Sequence, residues 1–228
     1  MIYLTADPHG DFSYIEEFCG KNPTSLNDVM FILGDMELNL GNSGIDSIRK
    51  SILADLPMTF LCIHGNHEIR PQHIDGYRET SLFGNKAYVE DEFPNIFFLN
   101  DGLIYHVGTK SFLVIGGAYS VTRMLNDYKN DLFFDDEQPS SETVKLVDYL
   151  CDSYSVVDYI LTHTGPLNYI PYDACTLPID QSMVDRSTET WMQKVYNKLC
   201  FQHWFCGHYH TNRKTDKITF VYKKVIEL

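Results

Sequence analysis

No apolar run in this chain approaches the ~20 residues needed to cross a bilayer, and residues 1–5 already read as a strand, not as a charged and then apolar leader. A membrane span and a secretory signal are therefore not expected, and a cytoplasmic location is the default. The six cysteines, at 19, 62, 151, 175, 200 and 206, form no C-x-x-C pair and mostly lie in apolar runs. Reduced core thiols are expected in place of disulfides or a zinc site. No Pro/Gly/Ser-rich linker, repeat or low-complexity tract divides the 228 residues, and 44% hydrophobic content suffices for one domain over 1–228 with one sizeable core. Cations are scarce as well: 18 Lys and Arg stand against 31 Asp and Glu, a formal net charge of −13. Proteins that track long nucleic acid present a basic stripe. The one basic cluster here, five Lys/Arg within 213–224, reads instead as the solvated face of a terminal hairpin.

What the chain does have is five short polar segments spread along it: Asp7-Pro8-His9, Gly34-Asp35, Gly65-Asn66-His67-Glu68, His163-Thr164-Gly165-Pro166 and Gly207-His208-Tyr209-His210. Four of them follow runs rich in apolar and β-branched residues, at 2–6, 29–33, 60–63 and 156–162. Their polar groups thus sit where strands end, which is where open α/β sheets collect ligands. One Asp or His beside a glycine is ordinarily a turn residue, so the inference rests on the set. Asp and His with a single Asn suit a borderline-hard cation such as Mn²⁺, Fe or Zn²⁺. Seven candidate ligands, Asp7, His9, Asp35, Asn66, His163, His208 and His210, are too many for one tetrahedral ion. Two ions sharing one carboxylate need about that number, and a pair roughly 3.5–4 Å apart can clamp the attacking and leaving oxygens of a phosphoryl displacement. The expected chemistry is hydrolysis at phosphorus.

The order D-x-H, G-D, G-N-H-E, H-x-x-P, G-H-x-H resembles the signature of the calcineurin-like metallophosphoesterases, with motifs from position 7 to position 210. The resemblance implies an α/β fold: a two-sheet sandwich flanked by helices, in α-β-β-α layers, with metals at strand ends on one edge. It implies that Asp7, His9 and His210 hold one divalent ion, that Asn66, His163 and His208 hold the other, and that Asp35 bridges them. His67 would stand beside the substrate as the catalytic imidazole, giving a hydrogen bond or proton to phosphate oxygens. Mn²⁺ is the ion expected in vitro, with Fe, Zn²⁺, Mg²⁺ and Ni²⁺ as the other candidates. The activity implied is hydrolysis of a phosphomonoester or phosphodiester of a small substrate, by in-line attack of a hydroxide bridging the metals. One departure bears on this. In the protein serine/threonine phosphatases the G-D element continues into Asp-Arg-Gly, whereas Gly34-Asp35-Met36-Glu37-Leu38-Asn39 places Leu38 at the orienting acid and supplies no arginine. That argues against a protein phosphatase and leaves small-molecule phosphatase, phosphodiesterase and nuclease activity open.

The alternatives are a nuclease acting on short or single-stranded nucleic acid and, from another class, a catalytically silent metal-binding or scaffold protein, which would be expected to have lost ligands that this chain retains. A redox metalloprotein finds no haem or iron–sulfur motif. The expected partner is a small phosphorylated substrate, since bound metals add about four positive charges where the phosphate lands; long nucleic acid and membrane are not expected.

Between the motifs, Ser13-x-x-Glu16 reads as a capping box opening a helix that stops near Gly20. Stretches 140–151 and 188–200 read as amphipathic helices, and apolar runs 103–107 and 112–115 as a hairpin, which argues against a purely parallel sheet. His64 reads as a packed or supporting residue; His73, His106 and His203 as structural or surface residues. The glycines of Ile115-Gly116-Gly117-Ala118-Tyr119-Ser120 permit close approach of a ligand or relieve a bend. Irregular stretches 166–187 and 119–139 are candidates for shaping substrate access. In the second, with Tyr128 and Lys129, Arg123 is the expected phosphate-clamping residue and Tyr119 a substrate contact.

Overall fold

The computed structural model describes residues 1–124, 133–153, 156–175 and 179–228. Every side chain of β2 (Val29–Leu33) is apolar and buried, as a parallel strand covered on both faces requires. It lies between β1 (Ile2–Thr5) and β3 (Thr59–Ile63), parallel to both, with Thr5 opposite Ile32 and Leu33 opposite Ile63. With β4 (Tyr77–Leu82), β5 (Asn85–Glu90), β6 (Ile96–Leu99) and β13 (Ile226–Glu227) these make a seven-stranded sheet, ordered β13-β1-β2-β3-β6-β5-β4. The second sheet has six strands, β7 (Ile104–Val107), β8 (Lys110–Ile115), β9 (Val156–Thr162), β10 (Cys200–Cys206), β11 (Arg213–Lys214) and β12 (Ile218–Phe220), ordered β11-β12-β10-β9-β8-β7. The expected hairpin is β7–β8, antiparallel, on the edge of this sheet, so both sheets are mixed.

Alternation along the strands divides the core into three layers. Phe31, Leu33, Leu61 and Ile63 of the first sheet meet Phe112, Val114, Leu161 and Phe205 of the second. The Phe31 and Phe112 rings are 4.8 Å apart across this junction, and truncating one such ring to alanine costs about 3–5 kcal/mol. The opposite faces carry the helices: Met30, Ile32 and Phe60 pack under α1 (Ser13–Lys21) and α2 (Ser43–Ala54) through Ile15 and Leu53. Leu113, Ile160 and Trp204 pack under α3 (Ser141–Asp152) and α4 (Ser187–Lys198) through Val147, Cys151, Trp191 and Val195. The layering is therefore α-β-β-α.

Two local expectations need correction. Ser13 is the first residue of α1, not its cap; Asp11 supplies the oxygen, Oδ1 accepting from Ser13 N at 3.2 Å and Ser13 Oγ at 2.6 Å. The helix expected over 188–200 ends at Lys198 because Cys200 opens β10, so the fifth polar segment also follows a strand. Ser140 caps α3 as a capping serine should, accepting from Thr143 N at 3.1 Å. All six cysteines are unpaired thiols, four of them buried; Cys175 is half-buried and Cys200 exposed. No helix among the described residues is long and apolar enough to cross a membrane.

Candidate metal centre

Because neighbouring parallel strands end level with one another, the loops that leave them meet. Asp7 N donates to Gly34 O at 3.3 Å, His9 N to Asp35 O at 2.9 Å, His163 N to Ile115 O at 3.2 Å and Gly207 N to His163 O at 2.8 Å. Asp7, Asp35 and Asn66 come from the first sheet; His163, His208 and His210 come from the second. A cross-sheet contact holds the two groups together: His208 N donates to both oxygens of Asp7 at 3.0 Å.

Three glycines make the convergence feasible. A Cβ on Gly34 would collide with the His163 ring, one on Gly65 with Asp35 N and Oδ1, and one on Gly207 with Asp7 Oδ2. The backbones of the candidate ligands are themselves unusual: Asp7, His9, Asp35, His208 and His210 all have φ between 46° and 68°. This left-handed region is sparsely populated by side-chain-bearing residues and concentrates at functional sites.

Asp7, His9, Asp35 and His210 offer four ligand atoms that all lie within 4.8 Å of one another. His9 Nε2 stands 2.9 Å from His210 Nε2 and 3.7 Å from Asp35 Oδ2. His9 Nδ1 is 3.0 Å from Glu37 Oε1, and His210 stacks on Tyr222 with ring centroids 4.8 Å apart. On the other side, His163 Nδ1 donates to Leu33 O at 2.8 Å, while its Nε2 faces Asn66 Oδ1 at 2.9 Å and Asp35 Oδ1 at 3.4 Å. The amide of Asn66 is fixed by Nδ2 donating to Ser120 Oγ at 2.9 Å. His208 completes this side, its ring 5.1 Å from that of His163. Asp35 thus presents Oδ1 to one group and Oδ2 to the other.

The donor set fits cations. His163 Nε2 is surrounded by acceptors, so a positive charge, a proton or a metal ion, belongs there. Burial alone would depress the His163 imidazolium, but the Asp35 carboxylate outweighs it and lifts the pKa to about 9. Burial raises Asp7 to about 7 against the opposing pull of His163. Burial also opposes ionisation of Asp35, yet His163 holds it well below the usual carboxylate range. Burial and then His9 push His210 down to about 4, and burial and then His163 hold His208 well below its ordinary value; both rings are neutral and available as ligands. A divalent ion held at His163 Nε2 would have to displace the proton that Asp35 favours there.

A cavity of about 510 Å³ opens on Asp35, Asn66, His67, His208 and His210. His67 N donates to Asp35 Oδ1 at 3.0 Å, which places the residue at the junction of cavity and cluster. Residues of 166–187 line the remainder, among them Cys175, Ile179, Gln181 and Arg186, as expected of a stretch that shapes access. Within 119–139, Val121 and Thr122 line it; Tyr128 and Lys129 lie outside the described residues. Arg123 and Tyr119 are not among the lining residues: Arg123 Nη2 pairs with Glu137 Oε2 at 3.0 Å and donates to Phe134 O at 2.8 Å. The arginine in the wall is Arg186, whose Nη2 donates to Gln181 Oε1 at 2.7 Å. Nothing local in the sequence distinguished it. Glu37 and Ser120, partners of the candidate ligands His9 and Asn66, carry no local sequence signal either.

The other residues singled out fall into place. Leu38 packs in the core beneath α1 and α2, and Glu68 Oε1 accepts from Gly65 N at 3.2 Å, supporting the loop. His64 is buried; His73 pairs with Asp136 at 3.2 Å, His203 bonds Thr219 Oγ1 at 2.8 Å and His106 is exposed on β7. Gly116 and Gly117 relieve crowding against the His64 and Glu137 backbones.

A fold of two sheets between helices, with carboxylates, imidazoles and one amide gathered at adjoining strand ends, defines a metal-dependent hydrolase of phosphate esters. The sequence matches the calcineurin-like phosphoesterase family over residues 1–212, and the chain belongs to that family. The family carries a binuclear divalent metal centre. No curated protein matches the chain in sequence. Among solved structures, the phosphopantetheinyl hydrolase (PptH) of Mycobacterium tuberculosis is similar, with 13% identity, 97% of this chain and 89% of that chain covered, and a TM-score of 0.50. At that identity the likeness concerns the fold.

Proposed function

We propose that this protein is one catalytic domain that hydrolyses a phosphomonoester or phosphodiester of a small substrate. The observation that carries the reading is the junction of the acceptor-rich cluster with a cavity of about 510 Å³, within the range of small-molecule sites. Asp7, His9 and His210 would hold one divalent ion, Asn66, His163 and His208 the other, and Asp35 both. When bound, the ions supply Lewis-acid charge to the phosphate and a nucleophile at neutral pH.

The chain's own residues do the rest. His67 faces the cavity and donates a hydrogen bond to a phosphate oxygen or a proton to the leaving oxygen, a contribution typically worth ~10²–10⁴ in rate. Leu33 O and Ser120 keep the His163 ring and the Asn66 amide turned toward the cluster. Val121 and Ile179 offer an apolar wall to the body of the substrate, and Arg186 offers it a guanidinium. Long nucleic acid is disfavoured because the basic cluster is partly neutralised: Arg213 pairs with Asp173 at 2.5 Å and Lys223 with Asp11 at 3.0 Å.

Turnover of an aryl phosphomonoester, an aryl phosphodiester and short single strands by Mn²⁺-loaded protein tests this. Both aryl esters should be hydrolysed, with discrimination below about a hundredfold, ~2.7 kcal/mol, and little response to salt. A protein that binds two ions and turns over none of these substrates is the silent scaffold. A rate on single strands that falls steeply with salt is the nuclease.

A further inference from the structure

The acid and arginine missing after the G-D element have a counterpart reached by a different route. Glu37 follows Asp35 by two residues, at φ 56°, and turns its carboxylate to His9, Oε1 lying 3.0 Å from Nδ1. Oε2 lies 2.9 Å from Arg49 Nη1, and that same nitrogen donates to Glu37 O at 2.9 Å. Arg49 comes from α2 and packs over Gly10, where any Cβ would strike its guanidinium. A carboxylate paired with an arginine accepts hydrogen bonds and does not donate them. Nδ1 of His9 therefore carries a proton, and Nε2, 2.9 Å from His210 Nε2 and 3.7 Å from Asp35 Oδ2, is the nitrogen left to meet an ion.

We propose that Glu37, anchored by Arg49, is a positioning residue that fixes the tautomer of His9 and selectively strengthens the ion position formed by Asp7, His9, Asp35 and His210. The inference rests on the metal reading above. Its selectivity follows from the contrast between the two sides. The corresponding nitrogen of His163 donates to a neutral backbone carbonyl, Leu33 O, and Asn66 is held by a hydroxyl. A carboxylate partner raises imidazole basicity more than a neutral one, and loss of such outer partners typically weakens a metal about 10–100-fold.

Glu37→Leu and Glu37→Gln test this, read by titration calorimetry with Mn²⁺ and Zn²⁺, metal content after dialysis, and ¹⁵N shifts of the histidine rings in metal-free protein. Glu37→Leu should weaken one of the two ions about 10–100-fold, leave the other within about twofold, and remove the fixed Nδ1–H tautomer of one ring. Glu37→Gln, whose amide oxygen still accepts from Nδ1, should fall between wild type and Glu37→Leu. Two ions bound by Glu37→Leu with wild-type affinity overturn the proposal, as do equal losses at both positions or an unchanged tautomer. If the wild-type chain itself binds no pair of ions, the metal reading fails first and is distinguished by that result.

Discussion

Asparagine at position 35 separates the two functions of that carboxylate. Asp35 Oδ1 accepts from Asn66 N at 2.8 Å and His67 N at 3.0 Å, while Oδ2 is the oxygen facing His9 Nε2 at 3.7 Å. In Asp35→Asn the amide must choose which way to face. Turning its NH₂ toward the two backbone donors would leave both of them unsatisfied in a buried site, at ~1–3 kcal/mol each. The amide oxygen therefore stays on Asn66 N and His67 N, and the NH₂ replaces Oδ2. An ion on the His9 side then meets donor hydrogens where it had a carboxylate oxygen, whereas an ion on the His163 side keeps an oxygen and loses only charge. A unit charge about 4 Å away is worth ~4 kcal/mol at an effective dielectric of 20. Even with much of that offset by relief of burial, the His9-side ion should bind at least ~10²-fold more weakly, ~2.7 kcal/mol. Metal content after dialysis should fall from two ions per chain toward one, and aryl phosphate turnover should fall at least as far. Two ions retained with wild-type affinity, or preferential loss of the ion at Asn66 and His163, would refute the bridging geometry.

His67→Asn should keep both ions and lower turnover ~10²-fold; loss of an ion in calorimetry would make His67 a ligand instead. Gly65→Ala drives a Cβ into Asp35 and should lower the melting temperature and release metal, with overpacking costing ~1–3 kcal/mol or more. Gly20→Ala, in α1 with nothing within 4 Å, should raise stability by ~0.5–1 kcal/mol. Burial, then Asp35, raises Glu68 from 4.5 to about 8, so between those values the folded metal-free protein keeps a proton that the unfolded chain has released. Its stability should fall as pH rises through that window, and less so in Glu68→Gln as read by urea unfolding. Removing metal with chelator should lower the melting temperature, since each ion held at a hundred times its Kd contributes ~2.7 kcal/mol; a melting temperature indifferent to Mn²⁺ would contradict a site built from both sheets.

The strand ends were legible because their signals are local. An apolar run such as 29–33 followed by Gly34-Asp35 states both the strand and the glycine that lets His163 approach. Helix α2 was not legible because its pattern is inverted: Ile45 and Ile48 are exposed while Asp46 and Lys50 are buried. Asp46 Oδ1 accepts from Leu40 N at 3.0 Å, and Lys50 pairs with Glu90, so polar groups with specific partners occupy the inner face that periodicity assigns to apolar ones. The β4–β5 hairpin escaped notice because its turn uses Phe83 and Gly84, both at positive φ, where Asn-Gly or Asp-Gly is the usual signal. Arg49 carries no local mark, because Gly10 and Glu37 reach it only through packing between distant segments; Arg186 has local partners in Gln181 and Glu189, but its place in the cavity wall depends on the fold.

The same contrast explains why the site stands apart from the rest of the fold. Five of the seven candidate ligands occupy backbone conformations that cost of order 1–3 kcal/mol each in a side-chain-bearing residue, and no local preference of Asp7, His9 or His208 would hold them there. What holds them is the strand register, the carbonyls of Gly34 and Asp35 that receive Asp7 N and His9 N, and the junction of Phe31 with Phe112 that fixes one sheet against the other. Each proposed ion position draws ligands from both sheets, Asp7 with His210 on one side and Asn66 with His163 on the other. A change in the intersheet core would therefore alter the distance between the two halves of each ion position before it altered any ligand. Affinity for metal is in this sense a property of the sandwich, and the motif residues supply the donors that it brings together.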